Sequence, residues 1–293
     1  MKTLQSISRS IQSATGLESI VSTMKAYASS NIIHFQQAAQ ASEDYTRVLD
    51  MALQIVSMQQ SDNRFHLQEP EKGWHLHVIF GSDYGLTGRF NERIVAYALE
   101  KIPKDERQLL MVVGHQVLMR IRRHEDIVDS FDMPQTEKAV TTVVQRMLIA
   151  IDALRKTHPL ESIFLHYHQP VGKSSMREQT TRLFPLGLEE IVGRQGLWPQ
   201  NRIPVVLVDQ ATLLSDLIQQ YFFIVLYRTF CFSSVSENAS RLASMQAAEK
   251  NIQEHLEELQ YQYRQQRQNQ ITADIADIVS GYKAIRNNKN DGE

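Results

Sequence analysis

The stretch LSDLIQQYFFIVLYRTFCFSSVSENASRLASMQAAEKNIQEHLEELQYQY, Leu214 to Tyr263, decides the fold. It contains neither Gly nor Pro, and Leu214, Leu217, Tyr221, Ile224, Cys231, Val235, Leu242, Met245, Ile252, Leu256, Leu259 and Tyr263 recur in steps of three, four or seven. A mean period near 3.5 residues is the signature of a left-handed coiled coil. No breaker follows before Gly281, so a helix is predicted over residues 209–286, with 287–293 as a polar tail.

Such a seam needs a partner, and the other end of the chain supplies one. Apolar or small residues recur at Leu4, Ile7, Ile11, Ala14, Val21, Met24, Ala28, Ile32, Phe35, Ala38, Ser42, Tyr45, Leu49, Ala52 and Val56. Gly16 apart, nothing before Arg64 would break this helix, assigned to residues 1–60. At the helical rise it would be roughly 80 Å long, too long for a compact domain to bury. Two very long helices separated by a large insert can bury their seams only against each other, antiparallel.

The insert, residues 70–208, has a different rhythm. WHLHVIFG (Trp74–Gly81) and QLLMVVG (Gln108–Gly114) read as buried strands, each followed by a helical segment, RFNERIVAYALEKI and HQVLMRIRR. IVDSFD reads as a third strand, TEKAVTTVVQRMLIAIDALRKT as a helix, and ESIFLHYH with MREQTTRLFPL closes the series. Alternating strand and helix predicts a small α/β domain, Rossmann-like with a mixed sheet. GLEEIVGRQGLWPQNRIP is punctuated by Gly and Pro and reads as a loop returning to the long helix.

Composition narrows the function. A net charge of -2 over 293 residues gives no dense cationic face for phosphate neutralisation, which argues against nucleic acid as a partner. The single cysteine, Cys231, cannot form an internal disulfide. The first residues, MKTLQSISRSIQSATG, lack the apolar run of a secretory signal. The most apolar window, Tyr221–Phe232, is interrupted by Arg228 and falls short of the roughly 20 residues that cross a bilayer, so it reads as buried helix.

The chemical motifs fail one by one. GSDYGLTGR sits between a strand and a helix, where phosphate is commonly bound, but its spacing misses the dinucleotide fingerprint and no Walker Lys-Ser/Thr follows. A tight turn using Gly at positive φ accounts for it. VGKSS ends like a Walker loop, but Tyr167 stands where the first Gly is needed. The pairs His75/His77 and His166/His168 each place two imidazoles on one face of a strand, but no third metal ligand is evident, and partly buried strand histidines are the expectation. No catalytic triad or dyad can be assigned, so neither a catalytic residue, a metal nor a cofactor is expected.

Three stretches resemble one family, the gamma subunit of the F-type ATP synthase. ISRSIQSATGLESIVSTMKAYASSNI is similar to that family's opening helix, with Ile7, Ile11, Ile20, Met24 and Lys25 in matching places. SDYGLTGRFN (Ser82–Asn91) resembles the turn that the family usually writes S-T-D-R-G-L-C-G-G-L-N. SENASRLASMQAAEKNIQEHLEELQYQYRQQRQNQITADIADIVSG (Ser236–Gly281) matches the family's carboxyl-terminal helix without a gap.

The resemblance implies a non-catalytic rotor shaft, peripheral at the cytoplasmic face of a bacterial inner membrane. Its implied partners are the alpha and beta subunits, the epsilon subunit and the membrane c-ring. Arg267 and Gln268 match a pair that meets beta, Thr272 and Arg241 match nearby polar positions, and Met24 and Lys25 match a first-helix segment facing beta. The polar run from Arg264 to Gln270 then reads as a band that exchanges hydrogen bonds with successive beta subunits, and Ile275, Ile278 and Val279 as a tip in an apolar sleeve.

The departures are Tyr84 for Arg, Thr87 for Cys and Arg89-Phe90 for Gly-Leu in the turn, and few cations after Met24. They suggest a divergent branch, with a second, Na⁺-translocating ATPase as an alternative. From another class, an enzyme built on the α/β insert or a coiled-coil adaptor remains open.

Overall fold

The computed structural model describes residues 3–59, 73–103, 107–124, 126–172, 175–186, 204 and 207–290. Helix α1 (Leu4–Gln59) opens the chain. Strands β1 (Trp74–Phe80), β2 (Gln108–Val113) and β3 (Ile127–Phe131) alternate with α2 (Phe90–Lys101), α3 (His115–Ile121) and α4 (Glu137–Thr157). Strands β4 (Leu160–Val171) and β5 (Ser175–Phe184) follow, and α5 (Gln210–Asn290) runs unbroken through Gly281. The loop expected over Gly187–Pro204 lies, Pro204 apart, outside the described residues.

Two compact units are present, one of residues 1–26 with 245–293, the other of residues 27–244. The heptad repeat of α1 is strict, since Ile7, Ala14, Val21, Ala28, Phe35, Ser42, Leu49 and Val56 are all buried. The companion seam lies one residue later than the sequence pattern suggested. Ala39, Thr46 and Leu53 are buried, whereas Tyr45 is 43% exposed. Polar residues enter this seam because the helix itself satisfies them: Ser42 Oγ donates to the Ala39 carbonyl and Thr46 Oγ1 to that of Ser42.

In the first unit α1 and α5 are antiparallel. Ile7 and Ala14 form one core with Leu256 and Leu259, Gln253 Nε2 donates to Glu18 Oε1, and Lys25 Nζ pairs with Glu249. Running this way, α1 reaches its first turn at about the level of Tyr263, the last α5 residue packed on that core. From Arg267 to Gly281 every described α5 residue is exposed. The apolar seam of α5 therefore ends where its partner helix does.

The second unit is a five-stranded sheet in the order β3-β2-β1-β4-β5, parallel except for the antiparallel pair β4 and β5. Alternation along β1 sends Leu76, Val78 and Phe80 to a core shared with α4 and the middle of α1 and α5, while Ile79 joins Ile94, Ala98 and Val117 of α2 and α3. The middle of α5 is more deeply buried than a two-helix seam requires. No residue from Tyr221 to Leu242 is exposed, because the sheet packs on it as well as α1. The apolar window at Tyr221–Phe232 is thus core, and among the described residues no helix is long and apolar enough to cross a membrane.

Candidate functional site

The turn after β1 is built from its own polar side chains. Gly81 is required by space, since a Cβ there would lie 2.1 Å from Val117 Cγ2. The Ser82 N–H donates to Asn91 Oδ1 (3.0 Å), and Asn91 Nδ2 returns a bond to Ser82 Oγ (2.8 Å). Asp83 is a clamp: Oδ1 accepts the His115 N–H at the start of α3 and Oδ2 the Met133 N–H after β3, at 3.1 and 2.9 Å. Positive φ occurs at Gly88 and, against the glycine-only expectation, at Leu86.

Strand order makes this turn a special place. β1 continues to β2 and β3 on one side and meets β4 and β5 on the other, so the β1/β4 boundary is a topological switch point, the usual ligand crevice of open α/β sheets. Here α5 lies against it. Ser236 Oγ donates to the His168 carbonyl of β4 (3.1 Å) and Ser240 Oγ to the Thr87 carbonyl of the turn (2.8 Å). One helical turn further on, a Cβ at Gly88 would lie 3.1 Å from Ser244 Oγ. Ser236, Ser240 and Ser244 recur every four residues, so a single face of α5 makes all three approaches. The crevice at the switch point is lined by the chain's own helix.

Beside this seam Arg241 Nη2 donates to Glu237 Oε1 (2.6 Å) and Nη1 to Asn238 Oδ1 (3.2 Å). The two charged side chains are only 9% and 7% exposed. Burial pushes the Glu237 carboxyl up to about 7, opposing the pull of Arg241, and the Asp83 charge adds to the rise. This serine face and its buried ion pair were not singled out from sequence. The only signal was the four-residue spacing of small polar residues within an otherwise apolar helix.

The six residues expected to meet beta differ in burial. Arg267, Gln268 and Thr272 are neighbours on the exposed part of α5, with Thr272 Oγ1 donating to the Gln268 carbonyl (2.9 Å). Met24 and Lys25 are partly buried on α1, and Lys25 is engaged with Glu249. Glu249 precedes Arg267 by 18 residues, roughly 27 Å of helical rise. Arg241 lies inside the other unit, committed to Glu237. Ile275, Ile278 and Val279 are exposed, Ile278 by 72%.

The histidines are more buried than expected at three positions. Of the four strand histidines, His77, His166 and His168 are at most 2% exposed, and His75 keeps partial exposure. Among the described residues no group of three or more His, Cys, Asp or Glu could hold a metal ion.

Comparison with known proteins bears on the whole chain. The family model described as ATP synthase matches residues 3–285. A relative named ATP synthase gamma chain, from Clostridium kluyveri, is 26% identical over 290 residues, covering 97% of this chain and 98% of that protein. The ATP synthase gamma chain of Sinorhizobium medicae is 25% identical over 295 residues, covering 97% and 100%. In fold, the chain is similar to a chain of the Euglena gracilis mitochondrial ATP synthase, solved as OSCP/F1/c-ring. The TM-score is 0.63 at 16% identity, covering 98% of this chain and 95% of that one. A chain from the central stalk/c-ring structure of the Tetrahymena thermophila enzyme gives a TM-score of 0.56 at 18% identity, covering 78% and 99%.

Proposed function

The chain belongs to the ATP synthase family, and from that premise we propose that it is the gamma subunit, the central rotor shaft that couples ion flow to ATP synthesis. The observation that carries this reading is the match of the family model along nearly the whole chain, residues 3–285, over both long helices and the α/β insert. It is a component of the complex and peripheral to the membrane. We further propose that it is non-catalytic by itself and works at the cytoplasmic face of a bacterial inner membrane. Its partners would be the alpha and beta subunits, epsilon and the c-ring. Protons are the default coupling ion, and Na⁺ is the alternative for a divergent branch.

The proposed division of labour follows the burial. The exposed band at Arg267, Gln268 and Thr272 offers exchangeable hydrogen bonds to beta, and Met24 on α1 a softer apolar contact. Exchangeable polar contacts suit a surface that must bind and release in turn, because their net cost per exchange is small. Lys25 and Arg241 are already held by Glu249 and Glu237, so their contribution is to stiffen the helices. Each face of such a shaft has a different interaction free energy with open and closed beta, and that difference biases closure.

The test is assembly. The tagged chain expressed with its neighbouring genes should copurify with alpha, beta and epsilon, and alone should show no ATPase activity. A fully coupled complex formed without this chain would overturn the reading.

A further inference from the structure

Under α2 the sheet buries a chain of hydrogen bonds that no rotor role accounts for. His77 Nε2 lies 2.7 Å from Gln108 Oε1, His77 Nδ1 lies 2.9 Å from His166 Nε2, and His166 Nδ1 lies 2.9 Å from Thr180 Oγ1. Thr180 Oγ1 is 3.2 Å from the Tyr97 hydroxyl of α2. Two residues along β4, His168 stacks on Phe90 of α2 with ring centroids 4.2 Å apart. Among the described residues neither nitrogen of His168 has a hydrogen-bond partner within 3.5 Å, and its Nε2 is 3.6 Å from Glu178 Oε1, the oxygen that accepts from Arg93 Nε of α2.

A hydrogen bond holds one proton, so the chain fixes both tautomers. The Gln108 carbonyl oxygen can only accept, which puts the His77 proton on Nε2 and leaves Nδ1 to accept. In the neutral cluster His166 then carries its proton on Nε2, and the Thr180 hydroxyl, which donates to the Tyr97 oxygen in the structure, turns to donate to His166 Nδ1. One added proton at His166 Nδ1 is tolerated, because it donates to Thr180 Oγ1 while the Thr180 hydroxyl keeps its bond to the Tyr97 oxygen. A second, at His77 Nδ1, is not. Two N–H groups would face each other across 2.9 Å, beside a second positive charge in a dry core.

Phe90, Arg93 and Tyr97 lie one helical turn apart on α2, and each touches a histidine or the group that faces one. We propose that this histidine cluster is a proton-operated latch that holds α2 on the sheet at neutral pH and lets it go when two or more of the histidines are protonated. α2 starts directly after the turn whose Thr87 carbonyl receives Ser240, so release of α2 also slackens the seat of α5.

Other ionisable groups face the cluster. They are His75, with Glu161 3.9 Å beyond it, Lys101 over the Tyr97 ring, and the Arg93–Glu178 pair. A protonated His168 would compete with Arg93 for Glu178. Burial agrees with this geometry, holding His77 and His168 down to about 4 and His166 to about 3.

Hydrogen exchange of the full chain, corrected for intrinsic rates, tests the proposal. Groups released to the ordinary histidine pKa would raise opening of residues 82–101 about sixty-fold between pH 6 and 5 if two protons act, and about eightfold if one does. Peptides from residues 4–26 and 245–263 should stay unchanged. Imidazole nitrogen spectra at pH 7.5 should show His77 and His166 both protonated at Nε2. The double substitution His77→Gln with His166→Gln should flatten the pH response, and His168→Phe should reduce its steepness. Exchange in residues 82–101 that rises no more than eightfold, or a His166 proton found on Nδ1 at pH 7.5, would overturn the latch.

Discussion

Replacing Arg241 with Met asks whether this arginine serves the fold or the partner. Met fills much of the stem volume and removes the charge, leaving Glu237 buried without its cation. Breaking a buried pair from one side costs about 3–5 kcal/mol when the remaining group stays charged. Glu237 need not stay charged, because its folded pKa is already about 7 with Arg241 present. A carboxyl whose folded pKa lies above its unfolded value binds its proton more tightly in the folded chain. Its stabilising contribution is complete below the unfolded value and is lost as pH rises through the folded one, at about 1.36 kcal/mol per unit. From the ordinary 4.5 to about 7, wild type forfeits about 3 kcal/mol this way by pH 8.5.

In Arg241→Met the folded value climbs further. The substitution should therefore cost about 1 kcal/mol in urea unfolding at pH 5.5, where Glu237 is protonated in both proteins, and up to about 3 kcal/mol at pH 8.5, because a further rise above about 7 can add at most about 2 kcal/mol by that pH. Adding Glu237→Gln to Arg241→Met should recover all but about 1 kcal/mol at pH 8.5. Equal costs at the two pH values would refute the reasoning. If the double variant regains both stability and ATP-driven ion pumping in the assembled complex, Arg241 acts only through the fold. If stability returns without pumping, Arg241 also meets a partner.

Arg267→Ala in the assembled complex should lower coupling more than Gln260→Ala, because a charge-assisted contact contributes about 1.5–3 kcal/mol where it forms; equal ATP-driven pumping in both would remove Arg267 from the contact band. Gly114→Ala should destabilise the chain by more than about 2 kcal/mol in urea unfolding, since φ is +95° and the added Cβ would sit 2.7 Å from the Ser82 nitrogen, a backbone atom that cannot move aside. Cys231 is fully buried and its thiol is pushed up to about 12 by desolvation, so iodoacetamide at pH 8 should label it only after unfolding; rapid native labelling would contradict the packing of α5.

Much of the fold was legible because its patterns are local. A seven-residue recurrence needs only the helical repeat to be read, so Ile7, Ala14, Val21, Ala28 and Phe35 announced the α1 seam before any partner was known. The companion seam was misread by one residue because Tyr45 is more apolar than Thr46. Burial there depends on the Ser42 carbonyl that takes the Thr46 hydroxyl, not on side-chain polarity alone. The strands of the insert were readable for the same local reason, since β1 alternates His with Leu, Val and Phe across two covered faces.

The candidate site was less legible, because it is made by elements far apart in the chain. Ser240 reaches the Thr87 carbonyl across 153 positions, and His77 meets His166 across 89. Nothing in the local pattern of either partner encodes such a meeting. By resemblance Arg241 was expected near the beta contact; its pairing with Glu237 four residues earlier is local, but its burial comes from the packing on that part of α5.

By itself, then, the sequence determined two long helices with one apolar stripe each, an alternating α/β insert and the absence of recognisable catalytic spacing, all consequences of periodicities read along the chain. Tertiary structure decided which polar residues are buried and which stay available. α1 ends level with Tyr263 and leaves Arg267, Gln268 and Thr272 exposed, while the switch point of the sheet receives the serine face of α5. Those outcomes depend on where one element stops against another, and that is a property of packing in space, not of order along the chain.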